Sequence, residues 1–455
     1  MLPRLRERLT LVLLALLPFH ALGVTVLTRI VAGPNQPPMG VLALWKEALL
    51  AIILLLALIE IAKSYPLPAT RSSFRFDRFD ACIIVLAVAL IVATLLVSGL
   101  RSPAFFYGIR YDLVPLAAFV VLRRVPWSEW FLARLPFVLG GAVLAAVAYG
   151  FLTIALPASF FTALGYSDLH SLYVPSGPVA PYQQIGGTAL RRLQGAMSGP
   201  NQFGIWLACL LPILLALPPR RRRIVAPLAI LAIVLTFSRA AWIAAAAVLL
   251  VSFWPQLRRL SVTAVTTLCI GVLAVSLALL LFFPQIILRI ESSSDHLRNP
   301  LEAISIMAKE PLGRGLGSAG PANNRVADAC VLLPEGSDAS WAAPHENLCV
   351  FVGDVQVQPV GRACTCPLLP ENWYLQIGVE GGWIAMFAFM ALIVLLVCRL
   401  WPTPPAMSLM AVAIAGLFLH AWEDAAVAYT VWILLAITIT FWAPASLARM
   451  SPRKA

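Results

Sequence analysis

The 455-residue chain is 60% hydrophobic and 12% charged, where a soluble domain holds about 45–50% apolar and about 25% charged residues. Long apolar runs from end to end exclude a soluble globular protein, and their continuity excludes a transmembrane β-barrel, whose strands alternate. The net charge of +12 does not require nucleic acid, because basic excess in a membrane protein marks cytoplasmic loops.

The expected fold class is all-α: a polytopic integral membrane protein, a single transmembrane domain over 1–455 with about twelve helices. The opening MLPRLRERLTLVLLALLPFH has a basic start and an apolar run but no small-residue cleavage site, which predicts a retained first helix over 9–31 rather than a signal peptide. Further helices are expected over 41–62, 80–99, 106–122 and 135–157. After a polar segment at 158–201 come 202–218, 223–237, 239–254 and 262–284. A longer polar segment, 285–371, precedes helices over 373–399, 406–422 and 427–446.

Lys and Arg set the orientation. One side carries Arg4, Arg6, Arg8, Lys63, Arg71, Arg75, Arg78, Arg123, Arg124, Arg134, Arg220 to Arg223, Arg258, Arg259, Arg399, Arg449, Arg453 and Lys454. The short loops of the other side hold Arg29, Arg101, Arg110 and Arg239. By the positive-inside rule both termini are cytoplasmic and the two long polar segments lie outside. The larger is too long for a connector. Within it, NPLEAISIMAKEPLGRG predicts a helix with Asn299 as N-cap, Pro300 first and Glu302 third, ended by Pro311 and Gly313 and lying on the outer membrane–water boundary.

Cys82, Cys209, Cys269 and Cys398 fall in or at the ends of apolar helices and read as small packing residues. Cys330, Cys349, Cys364 and Cys366 lie in the large outer segment, where an oxidising exterior favours disulfides. Cys364 and Cys366 are too close to pair with each other, so the bridges use Cys330 and Cys349 as partners, in an order the sequence leaves open. The rival is a zinc site, but CTC lacks the C-x₂₋₄-C spacing.

The chain has no P-loop, G-x-G-x-x-G, H-E-x-x-H or D-x-D motif, and five scattered histidines argue against an all-protein metal cage. Electrostatic chemistry therefore falls to arginines. Arg191 and Arg192 stand in ALRRLQGAMSGPNQFGIW, and Arg239 in LTFSRAAWIAA, where two apolar runs almost touch. Converging guanidinium forks suit a lipid-linked diphosphate, because they bind phosphate oxygens bidentately and keep their charge. The plainer readings are solvated loop arginines and a snorkelling Arg239.

Glu371 and Glu380 occupy the join ENWYLQIGVEGGW, the second about 13 Å deeper along a helix. Glu371 is a candidate general base at a membrane-edge pocket, or a charge complementing the helix dipole. Glu380 has either a direct role or a buried ion pair with an arginine. Gly381 and Gly382 would let a neighbouring helix approach closely. His345 in APHENLCVF is a second candidate base, against the plainer reading of an inert loop histidine.

Four segments, RRLQGAMSGPNQFGIWLACLLP, LTFSRAAWIAAAAVLL, SSDHLRNPLEAISIMAKEPLGRGLGSAG and ENWYLQIGVEGGW, occur in an order that resembles the bacterial O-antigen ligase and polymerase superfamily, over about residues 185–385. The resemblance implies a periplasmic-face glycosyltransferase of the bacterial inner membrane. Its donor is an undecaprenyl-diphosphate-linked glycan, its acceptor a glycan or glycolipid, its surroundings membrane lipids, and it needs no cofactor or nucleic acid. The family arginines would map to Arg192, with Arg191, and to Arg239; Arg314 of PLGRGLG is a further candidate to hold the diphosphate, and Asn372, Glu380 and His345 stand as substrate-binding candidates. Ligases of the family carry histidine in a pattern like H-N/S-x-Y-L-Q, and this chain has Glu371 there, beside Asn372. That departure leans toward a polymerase, with lipid A–core ligase the alternative. A secondary transporter is the rival from another class, although no repeat of the first half appears in the second.

Overall fold

The computed structural model describes residues 1–63, 76–97, 99–100, 102–169, 177–185, 188–261, 290–345 and 348–449, with single positions between 263 and 281; for 290–297 and 442–449 it describes the backbone alone. The chain is 68% helical with little strand. The helices are α1 (Leu2–Ala32), α2 (Trp45–Lys63), α3 (Arg78–Val97), α4 (Pro103–Leu122) and α5 (Glu129–Ala155). They continue with α6 (Pro200–Leu215), α7 (Pro219–Leu235), α8 (Arg239–Leu257), α9 (Ile290–Lys309), α10 (Trp373–Leu400), α11 (Pro404–Ala415) and α12 (Ala425–Arg449). The expected helix at 262–284 lies almost wholly outside the described residues.

Six of these helices, α1, α3, α4, α5, α8 and α10, are long and apolar enough to cross a membrane. Their outer faces present Leu95, Ile384, Phe387 and Val394, all more than half exposed, as lipid-facing helices require. The interior is aromatic. Trp373 packs on Phe389, Phe389 on Trp422, Trp422 on Trp432 and Trp432 on Phe119, with centroids 5.3–5.9 Å apart, tying α4, α10 and α12 together.

Ion pairs mark one end of the bundle. Arg6 Nε lies 3.0 Å from Glu60 and its Nη2 donates to the Pro126 carbonyl. Arg123 spans Asp77 and Asp80 at 2.6 Å each, Arg124 reaches Asp80 at 2.7 Å, and Glu7 accepts from the Ser128 amide and hydroxyl. This collar joins the start of α1, the end of α2, the start of α3, the end of α4 and the start of α5, so the five helices alternate in direction. Several arginines expected in connecting loops therefore belong to helices. Arg6 lies inside α1 and Arg134 inside α5: ion pairing and burial hold Arg6, and exposed Arg134 lies 4.4 Å from the Trp130 ring one turn earlier.

The opposite end carries the connections. In 158–201 a two-residue hairpin, β1 (Gln183–Gln184) against β2 (Arg191–Arg192), docks on the end of α7 through Leu193 N–H to the Leu235 carbonyl, 2.9 Å. In the larger segment β3 (Cys330–Leu333) pairs parallel with β4 (Cys349–Val352), and β5 (Val355–Gln358) runs antiparallel to β4. This sheet packs on Val331, Ala342, Leu348 and Val350. Disulfides Cys330–Cys366 and Cys349–Cys364 staple it. The order left open by sequence follows from where the CTC segment docks: the Cys364 amide donates to Gln356 Oε1 at 3.0 Å, on β5 beside β4, so Cys364 takes Cys349 and Cys366 takes Cys330. With both sulfurs bonded, the Asp328–Cys349–Cys364 grouping does not offer thiolates to zinc.

Two expectations need correction. Asn299 is not an N-cap: α9 begins at Ile290 and carries Pro300 inside it. Proline removes one backbone donor and bends a helix but need not end it. Nor is α10 continuous. At Gly382 (φ 72°, ψ −174°) the rod breaks, in a conformation essentially reserved for glycine. The PLGRGLG segment fills the break. The Arg314 and Gly315 amides donate to the Val379 and Glu380 carbonyls, both at 2.8 Å, and the Trp383 amide donates to the Pro311 carbonyl at 3.3 Å. A Cβ on Gly382 would meet this loop, whereas one on Gly381 would meet Leu90 of α3. Only Gly381 therefore serves the expected helix–helix approach.

Candidate functional site

Arg192 is buried where β2 meets the α7–α8 turn. Its Nε donates to the Thr236 carbonyl at 2.9 Å, Nη1 to Gln183 Oε1 at 2.9 Å and Nη2 to Asn201 Oδ1 at 2.8 Å. Phe237 in this turn has φ 51°, and Arg239 follows as the first residue of α8, half-buried. The turn thus brings Arg192 and Arg239 to one place. Arg191 points elsewhere. Its Nη1 donates to the Leu156 carbonyl at 2.5 Å and its guanidinium lies 4.0 Å from the Tyr182 ring, so it caps the negative end of α5.

Arg314 pairs bidentately with Glu310, 2.8 Å on both oxygens. The Arg314 guanidinium holds the Glu310 carboxyl below its ordinary value of 4.5, and that carboxyl in turn raises Arg314. Glu371 stands just before α10 with φ 54°. Asn372 is the N-cap: Oδ1 accepts from the Leu375 amide at 3.1 Å, and Nδ2 donates to the Leu417 carbonyl at 2.9 Å. With Trp373 N–H on the Gly416 carbonyl, the head of α10 is fastened to the end of α11. His345 sits in the disulfide-stapled sheet, its ring 6.5 Å from Trp341 and its carbonyl accepting from Gln358. Its described contacts are all local.

Glu380 is fully buried at the break of α10. Its Oε1 accepts from the Gly317 amide at 3.2 Å, and the Asp112 carboxyl is its charged neighbour; Glu380 Oε2 and both Asp112 oxygens meet no hydrogen-bond donor among the described residues. The expected arginine partner is replaced by a carboxyl. The backbone break explains this, because the inserted glycine loop supplies an amide donor where a cation would otherwise be needed.

Sequence reasoning missed a polar cluster beside these residues. Asp112 and its neighbours Arg110 and Tyr111 occupy a π-helical turn, Ile109–Leu113, within α4, a feature frequent at functional sites. Arg110 Nε lies 2.6 Å from Glu47, and Lys46 Nζ lies 3.2 Å from the same oxygen and 3.2 Å from His20 Nε2. Gln376 of α10 bridges Glu423 and His420, the latter at 2.6 Å. The available signal was the presence of Lys46, Glu47, Arg110 and Asp112 inside predicted apolar helices, since ionisable residues there are functional by default. Comparison of the chain with protein-family models and with characterised proteins gives no match.

Proposed function

We propose that the chain is a glycosyltransferase of the bacterial inner membrane, with about twelve spans and both termini cytoplasmic. It moves a glycan from undecaprenyl diphosphate to an acceptor sugar hydroxyl at the periplasmic face. One observation carries the reading. The four segments that resemble the O-antigen ligase and polymerase superfamily dock in pairs: Arg192 of the first bonds the Thr236 carbonyl of the second, and the Arg314–Gly315 amides of the third bond the Val379 and Glu380 carbonyls of the fourth.

In this mechanism Arg192, with its donors engaged by Thr236, Gln183 and Asn201, is a positioning residue for the α7–α8 turn. Arg239 meets the diphosphate. Arg314 joins by releasing the half-exposed Glu310. Glu371, at the head of α10, orients or deprotonates the acceptor hydroxyl. Oxygen attacks the anomeric carbon, the bond to the diphosphate oxygen breaks with its electrons leaving on phosphate, and the configuration inverts. Fixed guanidinium charge stabilises the departing diphosphate without a metal. Glu371 in place of histidine favours a polymerase, with a lipid A–core ligase as the alternative acceptor class.

The test is transfer by folded Arg239→Ala protein in nanodiscs. A fall of at least ~100-fold in rate is expected for loss of a charge-stabilising donor. A near-normal rate refutes the assignment of Arg239, and transport of a solute by wild type without transfer would favour the transporter.

A further inference from the structure

The polar cluster on α1, α2 and α4 is not used by the proposed mechanism. Its charges are uneven. Arg110 Nε and Lys46 Nζ lie 2.6 Å and 3.2 Å from one and the same oxygen, Glu47 Oε1. Two further carboxyls, Glu423 and Asp424, are met by amides: Glu423 by Gln376, Asp424 by Ala426 and Val427. Glu47 is thus the carboxylate that answers two neighbouring cations.

A third cation closes the cluster from the loop. Arg325, exposed, follows the short helix Gly320–Asn323, which packs against the Pro103–Gly108 start of α4 just ahead of Tyr111. The Arg110 guanidinium lies 5.7 Å from the Tyr111 ring, and Tyr107 stacks on Tyr111 at 6.3 Å. Arg110 uses Nε on Glu47 and Nη2 on the Ala43 carbonyl. Its Nη1 meets no acceptor among the described residues. A guanidinium carries five N–H donors in a flat fork, so one edge of Arg110 remains for a ligand.

We propose that Arg110, Arg325 and the Tyr111 hydroxyl form an oxyanion site for a phosphate or diphosphate group, separate from the Arg192–Arg239 turn. Glu47 anchors Arg110, and Lys46 holds Glu47 in turn. Two guanidiniums and a phenol match phosphate oxygens in geometry and charge. The group comes from a lipid headgroup or from free phosphate. A lipid source would imply that a second phosphate-bearing lipid is held beside the first, as a polymerase with a lipid-linked acceptor needs.

The experiment counts molecules bound to the full chain in nanodiscs by native mass spectrometry, and measures Kd, with undecaprenyl diphosphate, inorganic diphosphate and undecaprenol as probes. Arg110→Gln and Arg325→Gln are each expected to lose one bound undecaprenyl diphosphate, or to raise its Kd at least tenfold, with undecaprenol unaffected. Inorganic diphosphate bound with the same dependence on both arginines identifies free phosphate as the source. Arg325 is exposed and its replacement spares the Glu47 pair, so Arg325→Gln decides the matter if Arg110→Gln does not fold. Unchanged counts and Kd in the variants, or no binding of either diphosphate by wild type, overturn the proposal. Binding by a wild type that transfers nothing would leave this site standing and remove the transferase reading.

Discussion

Replacing Gly317 by alanine tests the most unusual packing in the molecule. Gly317 has φ +74°, a left-handed conformation that costs an alanine about 1–2 kcal/mol. The added Cβ would stand 2.0 Å from the Ala104 carbonyl oxygen of α4 and 2.6 Å from its carbon. Those are backbone atoms and cannot swing aside, so overpacking adds about 1–3 kcal/mol. The total is about 2–5 kcal/mol. Gly336 separates the two contributions: its φ is +77° but nothing lies within 4 Å of its Cβ position, so Gly336→Ala carries only the conformational part. Unfolding in detergent micelles, followed by tryptophan fluorescence, reads both variants against wild type. If Gly317→Ala unfolds as readily as Gly336→Ala and no more so, the glycine loop does not lie between α4 and the break of α10.

Glu380→Gln keeps an acceptor for the Gly317 amide and gives Asp112 a donor, so its stability should stay within ~1 kcal/mol of wild type. Glu380→Ala strands the Gly317 amide and leaves a void, costing about 2–5 kcal/mol in the same unfolding assay. The disulfides close spans of 36 and 15 residues, worth about 4 and about 3 kcal/mol of chain entropy. Cys330→Ser and Cys349→Ser should therefore open the β3–β5 sheet to protease while the helices stay resistant. Because Arg314 holds the Glu310 carboxyl below its ordinary value of 4.5, the pair stabilises at pH above 4.5 and its contribution is lost as pH falls through the lowered folded value. The pair is half-exposed, so the effect stays below about 1 kcal/mol, and a Glu310→Gln protein should lack this acid-side slope in an unfolding-versus-pH series.

Most of the helical frame is legible in the sequence because an apolar run of bilayer length has few alternatives. Helix ends are less so: Arg6 and Arg134 read as loop charges until Glu60 is seen beside Arg6 and the α5 turn around Arg134. The four cysteines of the 285–371 segment were legible as a disulfide set, but one residue separates Cys364 from Cys366, and the order of pairing follows from tertiary contact, the Cys364 amide donating to Gln356 of β5 beside β4. Glu380 was legible as buried and costly, whereas its neighbour Asp112 belongs to a π-helical turn far away in the chain, for which no local pattern exists. Gly313 read correctly as a stop after α9, yet the same glycines also let the loop enter α10, which depends on tertiary contact alone. Arg191 and Arg192 are adjacent in sequence and look equivalent. The hairpin sends one to cap α5 and the other to the α7–α8 turn, because successive residues of a strand face opposite sides.

The central claim, transfer of a glycan from a lipid diphosphate by Arg239 and Glu371, is tested most directly by the product. Purified wild-type protein, given an undecaprenyl-diphosphate-linked glycan and a lipid-linked or lipid A–core acceptor, should form a new glycosidic bond of inverted anomeric configuration and release undecaprenyl diphosphate. Arg239→Ala and Glu371→Gln should not do so at a comparable rate. Retention of configuration, or equal transfer by the Glu371→Gln protein, would contradict the account.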